Sequence, residues 1–322
     1  MITNSIEDIA SKLWELDNFI LVGHATPDGD CVGSLAGLYS GLVSIGKKCD
    51  MFLADPVPPI YHYLQVTDKI QLLNADVECS TLIYLDCSDA KRVGDKSFDY
   101  LHYSQCNINI DHHYTNDFFA DYNLVDAGAA ATAEIIYHLL KTMSIPITQN
   151  IASALYAGLV MDTGRFSYSN TTGQTLRTAA DLLDTGLDRD AMRINLFESR
   201  PREEIHLLGE ALKSLTFSND GKIAWMTLSY KQLNNMNMLN VYPEDIINYT
   251  RMIAGVEVGL LFREIEPGLI KIGFRSKDKI DVSAIAAQWG GGGHKQAAGA
   301  RQHGLLEEIE KLVITSVRDV IK

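Results

Sequence analysis

Residues 18–46 read NFILVGHATPDGDCVGSLAGLYSGLVSIG. The apolar run Phe19–Val22 reads as a buried strand. Further on, Leu35, Leu38, Leu42 and Ile45 recur at spacings of three and four, which makes one face of a helix apolar. Between them lies a polar joint holding His24, Asp28 and Asp30, with Gly29 between the two aspartates. The joint reads either as a surface turn or as half of a metal site whose other half lies elsewhere in the chain.

The same alternation continues outward. KKCDMFLAD (47–55), STLIYLDCSD (80–89) and QCNINIDHH (105–113) read as strands, and AATAEIIYHLLKTM (130–143) and IASALYAGLVMDTG (151–164) as helices. Strands separated by helices predict an α/β fold, a mostly parallel sheet with helices on both faces. From about Thr171 the pattern is helical, and strands return near residue 216. GVEVGLLFREI and GLIKIGFRSK then read as a hairpin, DVSAIAAQW as a helix, GGGGH as a loop and LLEEIEKLVITSVRDVI as a final helix. The expected organisation is an N-terminal domain over 1–190, a helical connection over 191–217 and a smaller α/β domain over 218–322.

Composition narrows the classes. Of the 322 residues 46% are hydrophobic, the mix of an ordinary globular protein, and no apolar run approaches a membrane span. The N-terminal stretch is acidic where a secretory signal would be basic. Five scattered cysteines form no C-x-x-C pair, which fits buried thiols in a reducing cytoplasm. The net charge is -13, with no long basic run, so long duplex DNA is not an expected partner. A phosphorylated ligand must be met locally, by metal ions or a few arginines.

Acidic and imidazole groups gather where predicted strands end: His24, Asp28 and Asp30 after FILV; Asp86 and Asp89 after LIYL; Asp111, His112 and His113 after INI. Asp162 ends an apolar helix. Taken singly, PDGD fits a turn and Asp86 fits a helix cap. Their common place is what joins them, because loops at the carboxyl ends of parallel strands converge. Oxygen and imidazole donors suit manganese, iron, zinc or magnesium. Several converging carboxylates need countercharge, and two divalent ions supply it better than one. Asp86, alone at the end of a central strand, is the natural bridge.

HATPDGD, LDCSD, DHH and MDTG resemble, in order, the four signatures of the DHH phosphoesterase superfamily. GFRS and GGGGHKQAAG are similar to the DHH-associated domain that follows in one of its branches, the nanoRNase and pAp-phosphatase type, which also includes cyclic-dinucleotide phosphodiesterases. The resemblance spans about Phe19 to Gly299. It implies that His24 and Asp28 bind one metal, that Asp30, His112 and Asp162 bind the other, and that Asp86 bridges them. It further implies that Asp111 orients its neighbours, that His113 faces the scissile phosphate and that the ions are manganese.

Arg275, Ser276, Gly291, Gly292, Gly293 and His294 would then hold the nucleotide away from the cleavage point. Asn170 and Arg165 are further candidates for the cleft wall. Gly29 is expected to let the chain bend between Asp28 and Asp30, and Gly33 and Ser34 to open the helix. The reaction implied is hydrolysis of short oligonucleotides, dinucleotides or pAp by a hydroxide held on two metals. The alternatives are a cyclic-dinucleotide phosphodiesterase and, in another class, a nucleotide-binding sensor without catalysis. A homodimer is the working expectation.

Overall fold

A computed structural model describes residues 3–241, 246–277 and 279–321, the side chains of Ser104 and His294 excepted. The chain forms two compact units, Met1–Ser199 and Arg200–Lys322.

The first unit runs α1 (Ile6–Glu15), β1 (Phe19–Val22), α2 (Gly29–Ser44), β2 (Cys49–Leu53), β3 (Ile70–Leu72), β4 (Val77–Leu85), α3 (Asp95–Phe98), β5 (Leu101–Asp111), β6 (Tyr122–Val125), α4 (Thr132–Thr142), α5 (Gln149–Asp162), α6 (Gly173–Asp184) and α7 (Arg189–Phe197). Its sheet has the order β3-β2-β1-β4-β5-β6, and the pairings are parallel. Alternate residues face opposite ways. Phe19 and Leu21 join Leu35 and Leu38 of α2 and Ile136 of α4 in the main core. Ile20 and Val22 join Leu82, Tyr84, Val93 and Phe98 on the other face. In this strand order the chain leaves β1 toward β2 on one side and returns to β4 on the other. That reversal opens a crevice at the carboxyl ends of β1 and β4, where ligands bind in open α/β sheets.

α2 begins earlier than the sequence predicts, at Gly29 rather than at Gly33. Asp28 is its N-cap: one carboxylate oxygen accepts from the N–H groups of Asp30 and Cys31. Gly29 therefore lies in the first turn of the helix and is not a bend. A side chain there would strike Met161 of α5, 2.6 Å from the added carbon, and one at Gly33 would strike the Ala154 carbonyl at 2.4 Å. These glycines let α5 lie backbone-close against α2, which brings Asp162 beside the start of α2.

The second unit runs α8 (Arg202–Lys213), β7 (Thr216–Phe217), β8 (Ile223–Leu228), α9 (Tyr230–Asn235), α10 (Asn248–Arg251), β9 (Val258–Glu266), β10 (Leu269–Ser276), α11 (Val282–Ala287), β11 (Gly292–His294), β12 (Ala297–His303) and α12 (Leu306–Val320). Its sheet, β11-β12-β10-β9-β8-β7, is mixed: β8 and β9 pair parallel, the others antiparallel. GGGGH is not the loop expected. Gly290, at φ +65°, ends α11; its N–H bonds Ala287, and the N–H of Gly291 reaches the Ala286 carbonyl. Gly292–His294 is strand. Among the described residues no helix is long and apolar enough to cross a membrane.

Candidate metal centre

The loop after β1 delivers the first donors. His24 is buried and donates from Nδ1 to the Ala25 carbonyl at 2.9 Å, which leaves the lone pair on Nε2. Nε2 lies 3.4 Å from Asp86 Oδ2 and 3.7 Å from Asp28 Oδ1. Asp30, in the first turn of α2, is buried and points to the start of α4. Its two oxygens accept from the N–H groups of Thr132 (2.6 Å) and Ala133 (2.8 Å). Asp30 thus caps a helix whose own N-cap, Ala131, has no side chain able to do so.

Asp86 leaves β4 in the left-handed region, at φ +60°, with its N–H on the Ile110 carbonyl. That turn carries its carboxylate into the crevice. Oδ1 accepts from the Thr132 hydroxyl at 3.0 Å and lies 3.6 Å from His112 Nε2. Asp162, at the last turn of α5, lies 3.6 Å from the same Nε2, and Asp30 lies 3.9 Å from it.

Donor atoms therefore meet in overlapping threes: His24, Asp28 and Asp86; Asp30, His112 and Asp162; and Asp86, His112 and His113. Within each, the atoms lie within 4.8 Å of one another. Separations of 3.4 to 3.9 Å are too long for hydrogen bonds. They suit donors around one divalent ion, whose bonds of about 2.0–2.2 Å place ligands about 3–4 Å apart. The donor set and its spacing fit such ions.

Electrostatics point the same way. Burial alone would lower the pKa of His24, but Asp28 and Asp86 hold it well above its ordinary 6.5. Burial likewise works against His112, yet Asp162, Asp86 and Asp30 raise it to about 9. Burial and the Asp86 charge push Asp30 well above the carboxylate range. Burial lifts Asp162 to about 7, with His112 opposing and Asp28 and Asp86 adding. Without a cation the cluster retains protons, and divalent cations would take their place.

Asp111 is fully buried and differently engaged. Oδ1 accepts from His113 Nδ1 (2.7 Å) and the His112 N–H (2.9 Å), and Oδ2 from Asn116 Nδ2 (2.6 Å). Burial works against its ionisation, but His113 holds its pKa down. Asp89 caps the turn Ala90–Val93 and stands apart from the cluster.

The remaining candidates have these contacts. Asn170 donates from Nδ2 to the carbonyls of Ala130 and Asp162, tying the end of α5 to the entry of α4. Arg165 lies over the Phe197 ring, 4.0 Å from its centroid. In the second unit, the buried Ser276 hydroxyl donates to the Ile280 carbonyl and so pins the turn after β10. Gly291 and Gly293 lie against the β12 backbone, where an added carbon would fall 2.1 Å from the Gly299 carbonyl and 2.5 Å from that of Ala297. Gly292 faces open space. Arg275 is the penultimate residue of β10 and donates to the Phe274 carbonyl at 3.0 Å. The His294 side chain lies outside the described residues. Sequence reasoning missed Thr132 and Asn116. The one available signal was a threonine at the start of a predicted helix.

Residues 18–159 match the DHH family, N-terminal domain, and residues 234–322 match the DHHA1 domain. The bifunctional oligoribonuclease and PAP phosphatase NrnA of Thermus thermophilus is 32% identical over 92% of this chain and 88% of its own length. Its Bacillus subtilis namesake is 28% identical over 88% of this chain and 89% of its own. The crystal structure of an exopolyphosphatase-related protein from Bacteroides fragilis superposes with a TM-score of 0.90 at 24% identity, covering 98% of this chain and 96% of that one.

Proposed function

Because the chain belongs to the DHH family and carries a DHHA1 domain, we propose that it is a metal-dependent phosphoesterase hydrolysing short oligonucleotides, dinucleotides or pAp. The relatives named oligoribonuclease and PAP phosphatase, aligned over most of both chains, support this substrate class. The observation that carries the reading is the placement of Asp86. One of its oxygens faces His24, and the other faces His112 and Thr132.

In this reading His24, Asp28 and Asp86 hold one divalent ion, and Asp86, Asp30, His112 and Asp162 hold a second. Manganese suits the mixed oxygen and imidazole set. A pair of such ions supplies Lewis acidity toward a phosphoryl group and a water acidic enough to react near neutral pH. Asp111 fixes the His113 ring, and His113 offsets charge on the phosphoryl oxygens or donates a proton to the leaving oxygen. Arg275, Gly292 and His294 would hold the terminal nucleotide. One arginine and a short glycine strand suit a small anionic ligand better than a long strand.

The test is a panel of pAp, pApA, pGpG, short RNA, cyclic di-AMP and pyrophosphate, incubated with purified protein and manganese. The reading predicts release of mononucleotides or phosphate from pAp or the linear oligonucleotides. Preferential turnover of cyclic di-AMP would reassign the substrate. Binding without turnover of any compound would make the protein a sensor and overturn the reading.

A further inference from the structure

The first turn of α4 bonds donor carboxylates from two separate elements. The Thr132 N–H bonds Asp30 of α2, and its hydroxyl donates to Asp86 at the end of β4. Ala130, two residues earlier, is tied through Asn170 to the Asp162 carbonyl at the end of α5. Thr132 is fully buried. Of its two polar contacts, the N–H belongs to any residue at this position, while the hydroxyl is the contribution of threonine or serine.

That hydroxyl acts on Asp86, the carboxylate that belongs both to the group with His24 and Asp28 and to the group with His112 and His113. A carboxylate at a strand end rotates about its side-chain bonds unless something holds it. Here the backbone is held at φ +60° by the N–H bond to Ile110, and Oδ1 is held by the Thr132 hydroxyl. With Oδ1 fixed, Oδ2 faces His24 at 3.4 Å and Oδ1 faces His112 at 3.6 Å. Released from Thr132, the carboxylate is free to turn both oxygens to one ion and leave the other short of a ligand.

We propose that Thr132 is a positioning residue whose hydroxyl sets how Asp86 is shared between two ions. The proposal rests on the two-ion reading above. Groups that orient a ligand change metal affinity by about ten- to a hundredfold when removed. Here that loss falls on the second ion to bind.

The test compares wild type, Thr132→Val and Thr132→Ser, titrating Mn2+ by calorimetry and recording the manganese EPR spectrum at two equivalents. Valine keeps the shape and the N–H and removes only the hydroxyl; serine restores it. Wild type and T132S are expected to bind two ions and show an exchange-coupled pair. T132V is expected to bind the first ion within about twofold of wild type and the second at least about tenfold more weakly, with uncoupled manganese in its spectrum. Two ions bound by T132V with wild-type affinity and coupling would overturn the proposal. A T132V protein that does not fold, judged by thermal melting without metal, would overturn it too, because the hydroxyl would then serve the fold. A wild type that binds one ion defeats the two-ion reading itself, a result separable from both.

Discussion

Asp111 Oδ1 takes two hydrogen bonds at once, from His113 Nδ1 at 2.7 Å and from the His112 N–H at 2.9 Å. An amide cannot serve both ends of this carboxylate: with its oxygen at Oδ1 its NH2 meets Asn116 Nδ2 donor to donor, and turned over it sets the NH2 against His113 Nδ1 and the His112 N–H, so Asp111→Asn weakens the hold on the His113 ring while leaving the donors around Asp86 in place. Turnover on pApA should fall by about a hundredfold or more, with KM changed little. The Asp111 charge raises the His113 pKa against the opposing effect of burial. Where His113 acts as the proton donor, the alkaline limb of the kcat profile should move to lower pH in the variant. An unmoved limb removes His113 from that role.

The metal-free protein should lose stability as pH rises. The native carboxyl of Asp162 keeps its proton to about pH 7, against an ordinary 3.8, and native His112 keeps its proton to about pH 9, against 6.5. Native protein therefore holds more protons than unfolded protein across both windows. Their contribution is complete below the unfolded values and is lost as pH climbs through the native ones. Bound manganese would displace these protons, so the rise in Tm on adding the metal should grow from about pH 5 to about pH 9. Melting curves with chelator and with manganese read both slopes, and Asp162→Asn should flatten the lower part of the metal-free one.

Gly33→Ala should loosen the seam between α2 and α5. Its new carbon meets the Ala154 carbonyl at 2.4 Å, and backbone cannot step aside as a side chain can. A loss of about 1–3 kcal/mol is expected, with weaker manganese binding because Asp30 and Asp162 sit on the two helices forced apart. Gly41→Ala is the contrast: there the obstacle is the tip of Leu140, which can rotate, and the loss should be smaller.

Arg275→Ala tests the second unit. A side chain that grips the far end of the substrate contributes to binding in the ground and transition states alike, so KM should rise several-fold more than kcat falls. An unchanged KM removes Arg275 from substrate recognition.

The parts legible in the sequence are those with short-range signatures. Phe19–Val22 announces its strand, and the α/β alternation predicts that His24, Asp86 and Asp111 meet at one sheet edge. The start of α2 was misplaced because the capping oxygen of Asp28 extends the helix past its apolar spacing. Gly291 and Gly293 read as a loop because the β12 backbone they make room for is invisible in a local window. Thr132 escaped notice for the same reason: its partners, Asp86 and Asp30, stand 46 and 102 residues away.

The shared carboxylate is the centre of the account, and Asp86→Asn reaches it most directly. The amide keeps the size of the side chain and an acceptor for Thr132, but it gives up the charge that two ions would share. Hydrolysis of pApA with saturating manganese should fall by about a thousandfold or more in a protein whose metal-free melting shows it folded. Wild-type turnover by that folded variant would contradict the account.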